Sequence, residues 1–297
     1  MRSILDKELI SVDGFGETGK GSICAQMAKF LRSNGHEDTI HVNTGTYYRA
    51  ATYVALESGI DFEDFNDDSS EALAHTVNKK IIVHPSGLYA PASLADNTEQ
   101  DLTNELRSDE VSKAVSAYSG LVAIRSFANQ SCKDIAEDNK GIPIIFDGRA
   151  ERQRIAGLKN QRARLMISLF VNADPEVRAN RQIPITADIP PEEKAELLEK
   201  REEKKQALIA RDLADSTRET EPVVQPAAGE SVPLRYRDMA DRKPGFIVSS
   251  PDIAARLIMS RNRSELTRVL YVDTGSLAYE DYEAVAGEIL GSTHFVR

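Results

Sequence analysis

A glycine-rich segment near the start of the chain, residues 14–22 with the sequence GFGETGKGS, constrains the fold more than any other feature. It fits the pattern GxxxxGK followed by a glycine and a hydroxyl residue. The apolar run Leu9 to Val12 precedes it and predicts a buried strand. After it, Ile23, Met27 and Leu31 share one helical face, and Gly35 stands where a C-terminal cap is expected. The sequence therefore predicts a strand, a phosphate-binding loop and a helix.

The residue types in this loop suit the binding of phosphate. Glycines allow successive backbone N–H groups to point toward an anion, and the following helix adds the positive end of its dipole. Lys20 is predicted to reach the transferable phosphates, and the hydroxyl of Ser22 to help hold Mg²⁺. Glu17 would oppose an anion, so we expect it to face solvent. The predicted phosphate-binding set is Gly14, Gly16, Thr18, Gly19, Lys20, Gly21 and Ser22. The alternative is a chance match in a glycine-containing turn.

The composition excludes several classes of protein. The 297 residues carry a formal net charge of -10, which disfavours broad contact with an extended nucleic acid. Two cysteines are too few for a disulfide framework, so a reducing cytoplasm is expected. No apolar run approaches the length of a transmembrane helix, and the first residues lack the apolar segment of a secretory signal.

Four more apolar runs predict strands, and helical patterns separate most of them. The runs are Thr39 to Val42, Pro143 to Phe146, Leu165 to Val171 and Val269 to Val272. Parallel strands need crossover connections, so this alternation predicts an α/β fold. Its centre would be a mainly parallel five-stranded sheet with helices on both faces.

Two stretches do not follow this alternation. The segment Lys79 to Ala90 predicts a hairpin whose strands are Ile81 to Val83 and Leu88 to Ala90. From Pro190 to about Asp215 the chain is highly charged and favours a helix, with Pro191 placed for its first turn. We interpret this helix as a mobile arm. Residues 226–263 contain several prolines, have no assigned chemical role and are interpreted as a surface insertion.

Several short segments resemble the cytidylate kinase family, a branch of the nucleoside monophosphate kinases, in the order in which they occur along the chain. The loop GKGS is similar to the family's GKGT, and residues 43–49, NTGTYYR, resemble its Asp-Ser-Gly-x-x-Tyr-Arg segment. Residues 105–111, ELRSDEV, and 147–149, DGR, have counterparts as well. The charged helix repeats the family's Arg-x-x-x-Asp-x-x-Arg in residues 211–218. The similarity covers nearly the whole chain.

This resemblance implies roles for individual residues. It implies that Thr44, Arg49, Arg107, Arg149, Arg211, Asp215 and Arg218 bind the acceptor. Lys20, Arg149, Arg211 and Arg218 would serve catalysis, Arg178 and Arg181 the donor nucleotide, and Ser22 and Asp147 the Mg²⁺ ion. The alternatives are ordinary ones: solvated helix arginines for Arg49 and Arg107, a structural turn at Asp147, and a solvated ion-pair face for the charged helix.

Local geometry supports two of these assignments. Asp147 follows an apolar run, so its carboxylate is expected at the carboxyl end of a parallel strand, where ligands bind in open α/β sheets. Arg211, Asp215 and Arg218 have the spacing of one helical face. Ala150 departs from the family, which has a second aspartate there that helps to recognise the acceptor. A methyl group cannot accept a hydrogen bond from a base or a sugar, so this position does not select cytosine.

The resemblance also implies a domain organisation and an activity. One P-loop kinase domain would span residues 1–297, with an inserted nucleoside monophosphate-binding subdomain at 60–110, a helical lid at 182–225 and an insertion of unknown role at 228–265. With ATP and Mg²⁺, a monomer of this kind would phosphorylate CMP, dCMP or a related nucleoside monophosphate. A kinase for another small acceptor and a catalytically impaired nucleotide-binding regulator are the alternatives. A guanine-nucleotide switch is disfavoured because no Asn-Lys-x-Asp segment occurs.

Overall fold

The computed structural model describes most of the chain. It covers residues 7–59, 72–73, 75–77, 81–83, 92–94, 101–139, 141–157, 163–219, 221–225, 231–234, 269–275, 277–278 and 280–291. The elements in chain order are β1 (Lys7–Asp13), α1 (Lys20–Ser33), β2 (Ile40–Asn43), α2 (Gly45–Glu57), β3 (Ile81–Val83), β4 (Ala92–Leu94), a 3-10 helix (Glu105–Arg107), α3 (Asp109–Tyr118), α4 (Val122–Asp138), β5 (Pro143–Asp147), α5 (Glu151–Gly157), β6 (Ala163–Asn172), α6 (Pro175–Gln182), α7 (Pro191–Thr217), β7 (Ser231–Leu234), β8 (Val269–Asp273) and α8 (Asp281–Gly291).

The principal sheet has the strand order β2-β5-β1-β6-β8-β7, and every described pairing within it is parallel. The five predicted strands form its body, which confirms the α/β fold. A sixth strand, β7, lies at the edge and comes from the segment that had no assigned role. In the centre, β1 pairs with β5 on one side and with β6 on the other.

Strand register brings the carboxyl ends of the central strands to one level. Val12 is opposite Asp147, and Asn43 of β2 is opposite the same residue. Because parallel strands present their carboxyl ends at one edge of the sheet, the loops after β1, β2 and β5 meet there. This edge carries the candidate site.

The two faces of the sheet are covered by different helices, so the central strands are buried on both sides. Leu9, Ile144 and Phe146 belong to one hydrophobic cluster together with residues of α2 and α4. Ile10 and Ile145, their chain neighbours, belong to the opposite cluster together with residues of α1 and α8. This arrangement explains why the strands appear as continuous apolar runs rather than as alternating ones.

The hairpin prediction was half right. β3 occupies the predicted first strand, but its antiparallel partner is β4, with Val83 opposite Ala92. The predicted partner, Leu88 to Ala90, lies outside the described residues. Pattern alone could not choose between two three-residue apolar runs so close in sequence, because strands this short give almost no periodic signal.

Three helices begin with residue types that favour a helix N-terminus. Ser108 accepts a hydrogen bond from the N–H of Val111 at the start of α3, and Asp174 accepts one from the N–H of Glu176 at the start of α6. Pro191 begins α7, as its fixed backbone angle favours. None of the described helices combines the length and the apolar character needed to cross a bilayer.

Gly14 is the glycine that the fold can least replace. Its φ is +141°, and a Cβ there would lie 2.0 Å from the carbonyl oxygen of Val171 on β6. Gly35, with φ +89° and nothing within 4 Å of the position that a Cβ would take, is a matched control without the clash. We expect Gly14→Ala to lower the free energy of unfolding by roughly 2 kcal/mol more than Gly35→Ala, because overpacking against a fixed backbone adds to the conformational strain. Urea denaturation of both variants measures the difference, and equal losses would contradict this account.

Candidate active site

The phosphate loop connects the end of β1 to the first residue of α1. Gly19 precedes that helix with φ +88°, and a Cβ there would lie 2.4 Å from the hydroxyl of Tyr282. Within the loop, the hydroxyl of Thr18 donates to the carbonyl of Phe15 at 3.1 Å. The loop thus lies at the N-terminus of a helix of 14 residues, where unpaired N–H groups and the helix dipole favour an anion.

The ammonium group of Lys20 lies within this loop. Its Nζ donates to the carbonyl of Phe15. Burial lowers the pKa of Lys20 to about 8; the nearby Asp147 carboxylate opposes this shift and Arg149 reinforces it. A cation that is desolvated in this way would be stabilised by a phosphate group.

Asp13 connects the loop to the start of α5. Its carboxylate accepts hydrogen bonds from the backbone N–H groups of Glu151 and Arg152, the latter at 3.1 Å, and so caps the N-terminus of α5. Burial, followed by repulsion from Glu151, raises the pKa of Asp13 to about 7. The aspartate before the loop therefore fixes the position of α5 against β1.

Three guanidinium groups converge beside the phosphate loop. A Cβ on Gly16 would lie 3.0 Å from Nη2 of Arg149 and 3.7 Å from Nη1 of Arg211. Burial, followed by repulsion from Arg211 and Arg218, lowers the pKa of Arg149 to about 9. Asp215 supplies part of the counter-charge, through a contact with Arg149 and a pair with Arg218 at 3.1 Å. Asp215 pairs with two of the three cations, while Glu17 and Asp212 lie near Arg211. The three guanidinium groups together attract further negative charge.

Thr44 follows β2 and faces the loop after β5. Its hydroxyl donates to Oε1 of Glu151 at 2.7 Å, and its backbone N–H donates to the carbonyl of Asp147 at 2.9 Å. The hydroxyl predicted to bind the acceptor is thus already bonded to a buried carboxylate. Glu151 is fully buried.

The two arginines implied for acceptor binding differ in their placement. Arg49 lines the cavity and donates to the carbonyl of Leu106 at 2.8 Å and to the hydroxyl of Ser112 at 3.0 Å. These bonds hold α2 against the start of α3 and fix the direction of the guanidinium. Arg107 is exposed and does not line the cavity.

A buried ion pair that the sequence did not reveal joins two residues of α5 beside Thr44. Nη1 of Arg154 donates to both carboxylate oxygens of Glu151, at 2.5 Å each. Its Nη2 reaches the hydroxyl of Tyr48 at 3.0 Å and Oε2 of Glu221 at 3.2 Å. Both members of the pair come from one turn of α5, so the network depends on how that helix is oriented.

Glu221 extends this network to α4. Its two carboxylate oxygens accept from Nη1 of Arg125 at 2.7 Å and from Nδ2 of Asn129 at 3.0 Å. The guanidinium of Arg125 also lies 5.6 Å from the centre of the Tyr48 ring, a cation–π distance. The segment that follows α7 is therefore anchored to α4 and α5 by charge-assisted bonds.

Arg178 and Arg181 on α6 make contacts within the protein. Nη1 of Arg178, which is fully buried, donates to the carbonyl of Gly16 at 2.9 Å and to Asp212 of α7 at 3.1 Å. Arg181 donates to the hydroxyl of Thr274 at 3.3 Å and to its carbonyl. These two arginines connect α6 to the phosphate loop, α7 and the loop after β8.

The expectation that Glu17 faces solvent was wrong. Its side chain is 25% exposed, and Oε1 accepts from Nζ of Lys204 on α7 at 3.1 Å. Glu17 also has φ +62°, which is rare for a residue with a side chain. This backbone conformation turns the carboxylate toward α7, and the ion pair compensates for its charge near an anion site.

A cavity of about 330 Å³ joins the two halves of the site. The predicted residues that line it are Gly16, Thr18, Gly19, Lys20, Gly21, Thr44, Arg49, Asp147, Arg149, Arg211, Asp215 and Arg218. Gly14, Ser22, Arg107, Arg178 and Arg181 are not among the lining residues. Lining residues that the sequence did not reveal include Tyr48, Ser116, Ser119, Arg125, Glu151 and Arg154. Isolated serines and arginines on helices carry no motif, so no signal in one sequence distinguished them.

The parallel sheet, the phosphate loop and the arginine cluster define a P-loop kinase. A sequence model of the cytidylate kinase family matches residues 10–232. The chain is 29% identical to the cytidylate kinase of Protochlamydia amoebophila over 219 residues, which cover 73% of this chain and 85% of that protein. It is 30% identical to that of Streptomyces griseus over 220 residues, covering 73% and 81%. For Chlamydia muridarum the identity is 28% over 222 residues, covering 74% and 87%.

The chain belongs to the cytidylate kinase family. The resemblance inferred from the short motifs is thereby confirmed, together with the α/β P-loop kinase fold and the class of ATP-dependent nucleoside monophosphate kinases. The assignments of individual residues are predictions, for which the geometry above provides the physical basis.

Proposed function

We propose that this protein transfers the γ-phosphoryl group of ATP to CMP, dCMP or a related nucleoside monophosphate, giving ADP and a nucleoside diphosphate. The observation that carries the proposal is the cavity itself. The phosphate loop with Lys20 lines it, and Arg149 and Arg211 lie beside that loop. Arg218 and Arg49 line the same cavity. Several cations around one cavity suit two phosphate-bearing ligands.

The chemistry needs no covalent enzyme intermediate. The acceptor's phosphate oxygen is already anionic, so the protein aligns it with the γ-phosphorus and neutralises the spreading charge. Lys20 would contact the transferred group from the loop, and Arg149 would bridge the donor and acceptor phosphates. Arg211, which lies close to Arg149 at the loop, would stabilise the charge from the α7 side.

Ser22 and Asp147 fit an Mg²⁺ site by the chemistry of their donors. A hydroxyl in the first turn of α1 and a carboxylate at the end of β5 are hard oxygen ligands. Mg²⁺ bound with ATP neutralises the charge of the β- and γ-phosphates. Asp147 lines the cavity on the side of Lys20, which suits this role.

The acceptor side lacks the carboxylate that the family places after Arg149. Ala150 is buried there. Glu151 lines the cavity but already accepts from Thr44 and Arg154, so it offers fewer free lone pairs to a sugar or a base than an unbonded carboxylate. The family match makes CMP and dCMP the first acceptors to test, and the missing carboxylate is the reason to test related monophosphates beside them.

A catalytically impaired nucleotide-binding regulator is the second candidate. It is favoured by the contacts of Asp215 with Arg149 and of Glu17 with Lys204, which place carboxylates where phosphates would otherwise be paired. In the kinase these contacts would exchange for phosphate contacts when the nucleotides bind.

The organisation around the site is also proposed. Residues 182–225 would form a lid, supported by the contact of Lys204 with Glu17 of the phosphate loop and by that of Asp212 with Arg178 of α6. Residues 60–110 would form an acceptor-binding subdomain. The segment 228–265 has no proposed role beyond supplying β7. A cytoplasmic monomer is proposed; the two free, buried cysteines, Cys24 and Cys132, are consistent with a reducing compartment.

The direct test offers the purified protein a panel of ribo- and deoxyribonucleoside monophosphates with Mg²⁺ and ATP. ADP and the diphosphate product are both measured, so that ATP hydrolysis is not mistaken for transfer. We expect stoichiometric product with CMP or dCMP. Tight ATP binding without transfer to any acceptor would reject the kinase and favour the regulator.

Arg49 and Arg107 provide a test of the acceptor assignment. We expect Arg49→Ala to raise the acceptor KM by about 10- to 100-fold, since a charge-assisted bond to a phosphate contributes roughly 1.5–3 kcal/mol. The Kd for ATP should change less than the acceptor KM, because the guanidinium of Arg49 is bonded to Leu106 and Ser112 at the start of α3. Arg107→Ala is the matched control, and its exposed position predicts a smaller effect. Equal effects of the two substitutions would contradict the geometry.

A further inference from the structure

Three buried side chains form a cluster directly behind the phosphate loop. Cys24 on α1, His41 on β2 and Asp147 at the end of β5 each offer one ligand atom, and these atoms all lie within 4.8 Å of one another. Cys24 and His41 are fully buried, and Asp147 is 4% exposed. We propose that this cluster binds a thiophilic divalent cation of the zinc type.

The donor set is characteristic of zinc. Thiolate, imidazole and carboxylate are the ligands that Zn²⁺ takes in proteins, at bond lengths that put tetrahedral ligand atoms roughly 3.3–3.8 Å apart. The three ligand atoms lie within 4.8 Å of one another, which is slightly wider than these distances. The side chains therefore need only small movements to close around an ion. Two strands of the sheet, β2 and β5, and the first helix, α1, supply one ligand each, which is a typical way to build a preformed site.

His41 is the observation that points independently to a ligand. It is fully buried, and within the part of the chain that the structure describes neither of its ring nitrogens has a hydrogen-bond partner. Its Nε2 lies 3.6 Å from Oδ2 of Asp147, beyond the range of a good hydrogen bond. A metal ion between the imidazole, the thiol and the carboxylate would use a nitrogen lone pair that is otherwise unused.

Charge balance selects a divalent ion. With Cys24 as thiolate, His41 neutral and Asp147 ionised, the three ligands carry two negative charges, which a divalent cation neutralises. The thiol of Cys24 is fully buried and would release its proton when a cation binds it. The same burial disfavours the other interpretation of a cysteine, a histidine and an aspartate, a nucleophilic triad, because no substrate carbon can reach Cys24.

An ion can enter past Asp147, which lines the nucleotide cavity. Mg²⁺ prefers oxygen ligands in octahedral geometry, so the thiol and the imidazole discriminate against it. Asp147 would then serve one of two metals: Mg²⁺ from the cavity side or a thiophilic ion from behind. A thiophilic ion should therefore inhibit phosphoryl transfer. This last consequence rests on the proposed kinase function, whereas the metal site itself does not.

The test is a titration of the reduced, nucleotide-free protein with Co²⁺, which replaces Zn²⁺ and reports its ligands by absorption. We expect one equivalent to bind with a thiolate-to-cobalt charge-transfer band and tetrahedral d–d bands, and Zn²⁺ to displace it. Cys24→Ser and Cys24→Ala should remove the band, and His41→Leu should weaken binding by at least about tenfold. Cys132→Ser is the matched control, because it removes the other buried thiol, which lies outside the cluster on α4.

Each result of these experiments either supports or overturns the metal site. No thiolate band in the unaltered protein, or a band that survives the loss of Cys24, would overturn the proposal. X-ray absorption at the metal edge gives a count of one sulfur ligand without any variant, which decides the matter if the Cys24 variants do not fold. Added Zn²⁺ at saturating Mg²⁺ should then inhibit transfer in the unaltered protein and in Cys132→Ser. Binding with undiminished transfer would support the site and count instead against the Mg²⁺ role of Asp147.

Discussion

Replacing Lys20 with methionine should lower the rate of phosphoryl transfer by at least about 100-fold, the usual cost of removing one preorganised charge from a transition state. Lys20 is held in the phosphate loop by its bond to the carbonyl of Phe15, and burial lowers its pKa to about 8. Methionine has a similar length and no charge. The stability of the fold should change little, because the variant removes a desolvated cation rather than core packing.

Lys29→Met on the same helix is the matched control. Its side chain is 61% exposed and its ammonium pairs with Glu283 at the surface, so both activity and unfolding should stay near those of the unaltered protein. The comparison uses steady-state transfer together with urea denaturation. If Lys20→Met keeps full activity, Lys20 has no catalytic role; if it unfolds the protein, its role is structural.

The sequence was most informative where local chemistry alone determines the structure. The glycine pattern of residues 14–22 requires a tight loop before a helix, and the structure has both. Strands buried on both faces appear as apolar runs, so all five were found. The caps at Ser108 and Asp174 were also predictable, because an N-cap involves residues two or three positions apart.

The features that were missed depend on contacts between distant segments. β7 contains Pro233, which argues against a strand in any local analysis, yet β7 pairs with β8 at the edge of the sheet. A proline is tolerated on an edge strand because its missing N–H need not serve a second neighbour. The outward orientation expected for Glu17 failed for a related reason: its partner Lys204 is remote in sequence.

The arginine cluster could be predicted only in part from the sequence. Spacing put Arg211, Asp215 and Arg218 on one helical face, but only the tertiary structure shows that this face meets Arg149 and the phosphate loop. The same structure shows that Ala150 sits beside a buried ion pair on α5. The local motif could suggest the phosphate loop, while the rest of the cavity is lined by α2, α3, α4, α5 and the end of α7 together.

Replacing Arg154 with leucine should destabilise the fold by about 3–5 kcal/mol, because it leaves the carboxylate of Glu151 buried without its partner. The side chains of Arg154 and Glu151 are 4% and 0% exposed, so water cannot take over the missing bonds. Glu221 and Tyr48 lose a donor as well. At roughly 2–4 °C per kcal/mol, the thermal midpoint should fall by about 10 °C.

Arg152→Leu on the same helix is the control, since its side chain is only half-buried and Arg152 joins the network through its backbone N–H to Asp13. It should cost less than about 0.5 kcal/mol, as surface substitutions usually do. The double variant Glu151→Leu/Arg154→Leu should be more stable than Arg154→Leu alone, because it removes the unpaired charge together with its partner. Calorimetry of the three variants tests this order. A double variant less stable than Arg154→Leu would show that Glu151 is held mainly by Thr44. It would also show that this wall of the cavity does not depend on the ion pair.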